Sequence, residues 1–419
     1  MDPLIISICI MFSLVGCALG LCTGLIPGIH VNTLASLLLA TYSSFQLFLL
    51  DFIPEGYVPI AACSLIMSAS VVHSFVDFVP SVFIGAPDGE DAMSILPGHR
   101  LLLKGEGMKA VRSAAIGSLI GCSAAILLAV PMQYIMFNGL ADELDNYTKY
   151  ILMAVTGLLL YNEWKKNNLL FGTIAFILSG ILGWMVMELQ MPCKGLFGEG
   201  TLLMPMLTGL FGLPTMIVAA KGRPYPQQKD DVKDPAVYGS GLKGVLMGSV
   251  AGWFPGITST VGATISSTVM PDRDPERFIS TVASIGTVTT VLSLVTLSVS
   301  GGGRSGTVIV IGQILGDSIS GLASESFMLM LLSASIGSVL GYILTIESGK
   351  ALSKRVSKMD NGKVNRIIVV FLIAIVLLTT GLGGLFVLLC ATVIGFIPVC
   401  EDNGKTVLCG CLILPVLLM

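Results

Sequence analysis

Residues 16–36 read GCALGLCTGLIPGIHVNTLAS. Glycine recurs at every fourth position through Gly16, Gly20 and Gly24, the helix pattern breaks at Pro27-Gly28, and His30, Asn32 and Thr33 follow the break. The motif returns as GVLMGSVAGWFPGI at 244–257. Gly16, Gly20, Gly24, Pro27, Gly28 and Ile29 match Gly244, Gly248, Gly252, Pro255, Gly256 and Ile257, every pair 228 positions apart, and Ala35 matches Ala263 in the same register. Glycine is common in this chain, 48 of 419 residues, so a single match means little. Four glycines in register with Pro-Gly-Ile point to a duplication.

Each copy predicts an apolar arm, a Pro-Gly turn and a second arm. The runs at 241–254 and 256–270 are shorter than the roughly 20 residues a full membrane span needs, which favours a re-entrant hairpin. Two full spans remain the other reading. Glycines at i, i+4 and i+8 line one helix face and let backbones approach closely. Beyond each break a new helix begins, with free N–H groups and the positive end of the helix dipole. Gly28, Ile29, His30, Asn32 and Thr33 in the first copy, and Gly256, Thr258, Ser259 and Thr260 in the second, then form a candidate anion site made of neutral donors. The competing explanation is a Pro-Gly helix break capped by Ser and Thr, with no ligand.

The whole chain fits this setting. It is 54% hydrophobic and 12% charged, with a mean hydropathy of +0.88. A soluble domain carries about twice that share of charge. Apolar runs near or above about 18 residues recur along its length, the signature of an all-α integral membrane protein. They amount to the two hairpins and about ten further membrane segments. The N-terminal MDPLIISICIMF lacks the basic flank of a cleaved signal and reads as the first span. The net charge of −3 carries no basic patch for nucleic acid. The ten cysteines lie mostly inside apolar runs and read as small packing residues. No metal set, Walker A, G-x-S-x-G or H-E-x-x-H motif is present, so the sequence predicts neither cofactor, ATP use nor enzymatic activity.

Basic residues in short loops set the orientation. Those at 347–366, 221–243, 100–112 and 165–166 put these loops inside, whereas the acidic 51–56 and 138–148 lie outside. The N-terminus is then outside and residue 240 inside, so the two copies enter from opposite faces. The expected organisation is a first membrane repeat (1–219), a cytoplasmic linker (220–240) and a second, inverted repeat (241–419). Inverted repeats with paired Gly/Pro-interrupted segments are common in secondary transporters.

Three further residues stand out. Asp77 lies inside an apolar run, where a carboxylate is a candidate for Na⁺ or H⁺ coupling; an interfacial structural Asp is the alternative. His73, one turn earlier, could share its proton. Arg304 in GGGRSG could neutralise an anion or be a loop arginine.

The stretches GLCTGLIPGIHVNTLASLLL, GAPDGEDAMSILPGHRLLLKGEGMKAVRSAAIGSLIG and GSVAGWFPGITSTVGATISS resemble the large membrane subunit of the tripartite tricarboxylate transporter family, in its shorter prokaryotic form. The resemblance implies an inverted-repeat carrier with Pro-Gly tips near an organic-anion site and cation-coupled uptake. It also implies a small membrane subunit and an extracytoplasmic binding protein as partners; a homodimer is left open. Where longer members are acidic, this chain reads SVSGGGRSGTVIVIG. The sequence thus predicts a permease of the cell membrane for a small organic anion, a carboxylate first. A polyprenyl-phosphate carrier is the alternative, since hydroxyls past a Pro-Gly tip suit phosphate equally well.

Overall fold

A computed structural model describes residues 2–26, 31–84, 95–188, 193–196, 198–199, 202–219, 226–229, 234–254, 259–272, 274–303, 305–358, 361–401 and 405–418. The helices in order are α1 (Pro3–Leu25), α2 (Val31–Ala40), α3 (Tyr42–Leu49), α4 (Val58–Val76), α5 (Phe78–Phe83), α6 (Ile95–Leu103), α7 (Gly107–Ile135), α8 (Ala141–Lys165) and α9 (Leu169–Glu188). A two-stranded hairpin of β1 (Lys194–Gly195) and β2 (Gly198–Glu199) follows. Then come α10 (Leu203–Leu207), α11 (Leu213–Ala219), α12 (Tyr238–Ala251), α13 (Ser259–Val269), α14 (Pro275–Ser300), α15 (Gly306–Leu315), α16 (Glu325–Val356), α17 (Asn361–Cys400) and α18 (Gly410–Leu418). Among the described residues seven helices, Pro3–Leu25, Glu55–Phe83, Gly107–Leu144, Leu169–Glu188, Pro275–Ser300, Glu325–Val356 and Arg366–Cys400, are long and apolar enough to cross a membrane, with four shorter apolar helices beside them.

Local chemistry fixes the helix ends. Asp2 accepts a hydrogen bond from Leu4 N at 2.9 Å with Pro3 opening α1, and Ser324 accepts from Phe327 N at 3.3 Å to open α16. α14 stops at Gly301, whose φ of 71° only glycine adopts without strain. The apolar stretch after the first Pro-Gly is broken again at Thr41, into α2 and α3. α17 has two apolar limbs and turns between them at Gly381 (φ 67°), against the carbonyl of Lys194. The polar stretch 347–366 is largely helical, extending α16 and opening α17.

Six helices form the central body in two sets of three. In the first, α1 lies on α4 with Gly16 against Leu65, Gly20 against Ala69 and Gly24 against Val76, and α16 lies on α4 with Gly337 against Ser68 and Gly341 against Phe75. These registers ascend together, so α1, α4 and α16 run parallel. In the second, α7 lies on α14 with Gly117 against Ser280 and Gly121 against Ser284, and α12 lies on α14 with Gly244 against Ser284, Gly248 against Val288 and Gly252 against Leu292. α7, α12 and α14 are parallel too. Where the sets meet, Gly349 of α16 packs on Val111 of α7 while Ser338 lies beside Cys122, so the two sets run in opposite directions. α8, α9, α10, α17 and α18 build a second core around Leu152, Met206, Ala391 and Cys411.

The described parts of the linker are clamped to the α6–α7 turn. Buried Gln228 accepts from Gly107 N at 2.9 Å and donates to Leu102 O at 3.2 Å. Lys229 pairs with Glu106 at 3.0 Å and holds that carboxyl below its ordinary value, and Arg112 pairs with Asp234 at 2.7 Å.

A β-carbon at Gly20 would overlap the backbone of Ala69, whereas one at Gly157 meets no neighbouring atom within 4 Å. Gly20→Ala should therefore destabilise by about 1–3 kcal/mol through overpacking. Gly157→Ala should leave stability equal or raised by up to about 1 kcal/mol. Thermal unfolding in detergent, read as loss of the monodisperse peak, compares the two.

Candidate functional site

Several buried polar groups gather where α2, α4, α14 and α15 meet. α4 carries Ser70 and Ser74 at i and i+4, and Asp77 just past its end at i+7, which places the three on one helix face. Ser74 Oγ meets Thr290 Oγ1 of α14 at 3.4 Å, and Ser70 Oγ meets Thr307 Oγ1 of α15 at 3.4 Å. Ser305 caps α15, accepting from Val308 N at 3.4 Å, and its hydroxyl lies 3.0 Å from that of Thr307. The N–H of Thr307, one of the donors a helix start leaves unbonded, donates to Asn32 Oδ1 at 3.0 Å. Gly306 makes room for this approach, because a β-carbon there would press on the Asn32 side chain. The result is a seam of neutral hydroxyl, amide and backbone donors with a helix N-terminus at its centre. Such a set can hold an anion without burying a fixed positive charge.

Of the residues singled out in the sequence, Gly28, Ile29, His30, Gly256, Thr258 and Arg304 lie outside the described residues. The flanks of both Pro-Gly turns are described. Gly24 packs on Val76 and the His73 carbonyl, and Gly252 on Leu292 and Thr289. The Ser74–Thr290 contact lies one turn or less from each, so the ends of α1 and α12 flank the seam at one level. Asn32 is half-buried within the seam, while Thr33 beside it is exposed. Ser259 opens α13 and is buried, and Thr260 is the next residue of that helix. Asp77 is buried at the break between α4 and α5. His73 is buried as well, with Nδ1 at 3.1 Å from Thr23 Oγ1 on α1, a partner the sequence reading did not supply.

Ser70, Ser74, Thr290, Ser305 and Thr307 were not foreseen. Hydroxyls at helical spacing inside an apolar run were the available signal for the α4 pair. The glycine-rich 301–306 drew notice to Arg304, although Ser305 is the N-cap. Among the described residues no three His, Cys, Asp or Glu side chains gather as a metal-ligand set.

The two second arms are held differently. The base of α13 is fixed by Lys243 of α12, which donates to Met270 O at 2.6 Å and pairs with Asp272. Asp272 also accepts from Thr281 Oγ1 of α14 at 2.9 Å. Asn162 of α8 donates to Thr268 Oγ1 at 2.7 Å. α2 and α3 bury only Val31, Ala35 and Leu49, and Leu37, Leu47 and Phe48 are exposed.

The sequence profile of the tripartite tricarboxylate transporter TctA family matches residues 10–402. An uncharacterised protein of Methanocaldococcus jannaschii is 27% identical over 417 residues, covering 98% of each chain. No solved structure matches.

Lys243→Met leaves Asp272 charged at about 10% side-chain exposure without its cation. Losing one partner of a buried pair should cost about 3 kcal/mol, and Lys243→Met with Asp272→Leu should recover much of it. Unfolding midpoints of both variants in one detergent check this.

Proposed function

The chain belongs to the tripartite tricarboxylate transporter TctA family, and on that premise we propose that it is the permease of a small organic carboxylate, driven by an Na⁺ or H⁺ gradient. The observation that carries the reading is the neutral donor seam at the start of α15, buried among apolar helices and flanked by the ends of α1 and α12. A carboxylate there would accept hydrogen bonds from backbone N–H groups and hydroxyls and gain from the helix dipole. The Pro-Gly turns, with Gly28, His30, Gly256 and Thr258, would complete the site from both sides. Arg304 follows α14 closely enough in sequence to offer a charge.

The same motif ends one helix in each of two oppositely running sets, which supports reading the chain as an inverted duplication with its division near 220–240. Under that reading the N-terminus faces outward. Asp77, buried beside the seam, is the proposed coupling carboxylate, with His73 behind it. A small membrane subunit and a binding protein are the proposed partners, by family. The lipid-phosphate alternative gains no support from the family and is set aside.

Uptake of labelled di- and tricarboxylates into proteoliposomes, with an Na⁺ or a proton gradient imposed, tests the proposal. Accumulation of at least one carboxylate under one gradient is expected; none under either gradient would refute it. Thr258→Val with Ser259→Ala should lower uptake at least tenfold while the protein inserts normally. Wild-type uptake by that variant would leave the tip a structural role only.

A further inference from the structure

We infer that the α1–α4–α16 and α7–α12–α14 sets move as two rigid bodies, rocking about Gln133 and slipping on each other along α7 and α16. The evidence is the distribution of hydrogen bonds within the sets, between them, and along their shared face.

Within each set, side chains bond helix to helix. Cys9 of α1 lies 3.4 Å from Leu329 O and 3.2 Å from Ser333 Oγ of α16, and Ser64 of α4 donates to the same sulfur at 3.3 Å. His73 joins α4 to Thr23 of α1. In the other set Thr287 of α14 donates to Ser118 O of α7 at 3.0 Å, Ser284 to Gly241 O of α12 at 2.7 Å, and Thr296 to Gly252 O at 3.2 Å. Lys109 of α7 pairs with Glu276 of α14 at 2.8 Å.

Between the sets the pattern reverses. Among the described residues the polar contact along α7 and α16 is a weak one, the Cys122 thiol meeting the Ser338 hydroxyl toward the Gln133 end. Thr345 and Ser353 of α16 are buried at 2% exposure or less, and their hydroxyl oxygens lack any hydrogen-bond partner. Four residues to either side of Gly349, they share its helix face, the face set against Val111 and Met108 of α7. A hydroxyl on a tight helix interface ordinarily finds a carbonyl, because leaving it unbonded is unfavourable. Two unmade bonds on one face, with only a thiol–hydroxyl contact nearer the other end, describe an interface that can shift at little cost in hydrogen bonds. Gly349 keeps that face smooth.

One end is pinned. Gln133, fully buried near the end of α7, donates to Ser298 Oγ at 2.8 Å and to Gly321 O at 3.0 Å, and accepts from Ala323 N at 2.8 Å. It ties α7 and α14 to the turn that opens α16. Ser338, Thr345 and Ser353 lie at increasing distance from that tie. Motion therefore grows toward the end where α16 finishes and α7 begins. The donor seam lies between the sets, spanned by Ser74 and Thr290 at 3.4 Å, the long limit of a hydrogen bond.

Two engineered disulfides on α16 test this with native partners. Ser338→Cys faces Cys122 across the sets, and Ser333→Cys faces Cys9 within one set. Each is made in a background without the other native cysteines. Spin labels at Arg277→Cys and Lys354→Cys report the separation of α14 and α16 at the end far from Gln133. The expected result is two separations in the reduced protein, one after the Cys122 disulfide forms, and two after the Cys9 disulfide forms. A distribution unchanged by the Cys122 disulfide, or a single separation throughout, overturns the inference. Uptake in proteoliposomes should fall at least tenfold with the Cys122 disulfide and return on reduction, and should stay near wild type with the Cys9 disulfide. The uptake arm rests on the transport reading and the spin-label arm does not. Two separations without any uptake would refute transport and leave the rocking intact. Uptake untouched by the Cys122 disulfide would do the reverse.

Discussion

Close backbone contact at glycine is the constraint on which the central body depends. Inside a bilayer, burying apolar surface between helices gains little, because the lipid is equally apolar. What remains is contact density, and contact density needs helices without side chains between them. α1 meets α4 through Gly16, Gly20 and Gly24, and α12 meets α14 through Gly244, Gly248 and Gly252. The same six glycines bring the ends of α1 and α12 beside the seam. Any side chain added there displaces a helix, and the seam with it.

The seam itself follows from how a low-dielectric interior treats charge. A buried lysine or arginine would need a permanent counter-ion, which would compete with an anionic solute. Hydroxyls, an amide and a helix start avoid this. They bond to one another, as Asn32 does to Thr307 N, and can exchange those bonds for others. Selectivity in such a site comes from geometry and donor count rather than from net charge.

The architecture was largely legible, because long apolar runs and a Gly-x-x-x-Gly register are one-dimensional signals. That α1 and α12 end shortly before Pro-Gly could be read from residue identity alone. The α2–α3 break at Thr41 could not, since no proline or glycine marks it. In the candidate site, the sequence directed notice to residues after the breaks, and Asn32 does reach the seam. It missed Thr290 and Thr307, which matter only because α14 and α15 come to lie beside α4. It also proposed His73 as a partner for Asp77 from helical spacing. That spacing cannot show Thr23, which arrives from another helix. Contacts within one helix can be read from a sequence; contacts between helices need the packing first.

The segment joining the two copies of the motif is long and polar enough to suggest a flexible tether. Gln228 and Lys229 fasten it to the turn before α7, and Asp234 fastens it to Arg112. α7 and α12 both lie on α14, so this connection travels as cargo with one body. The most conspicuous joint in the covalent chain is for that reason not where the molecule bends. Severing it between residues 229 and 234 would leave both stumps fastened to the same helix bundle, and the pieces would stay assembled.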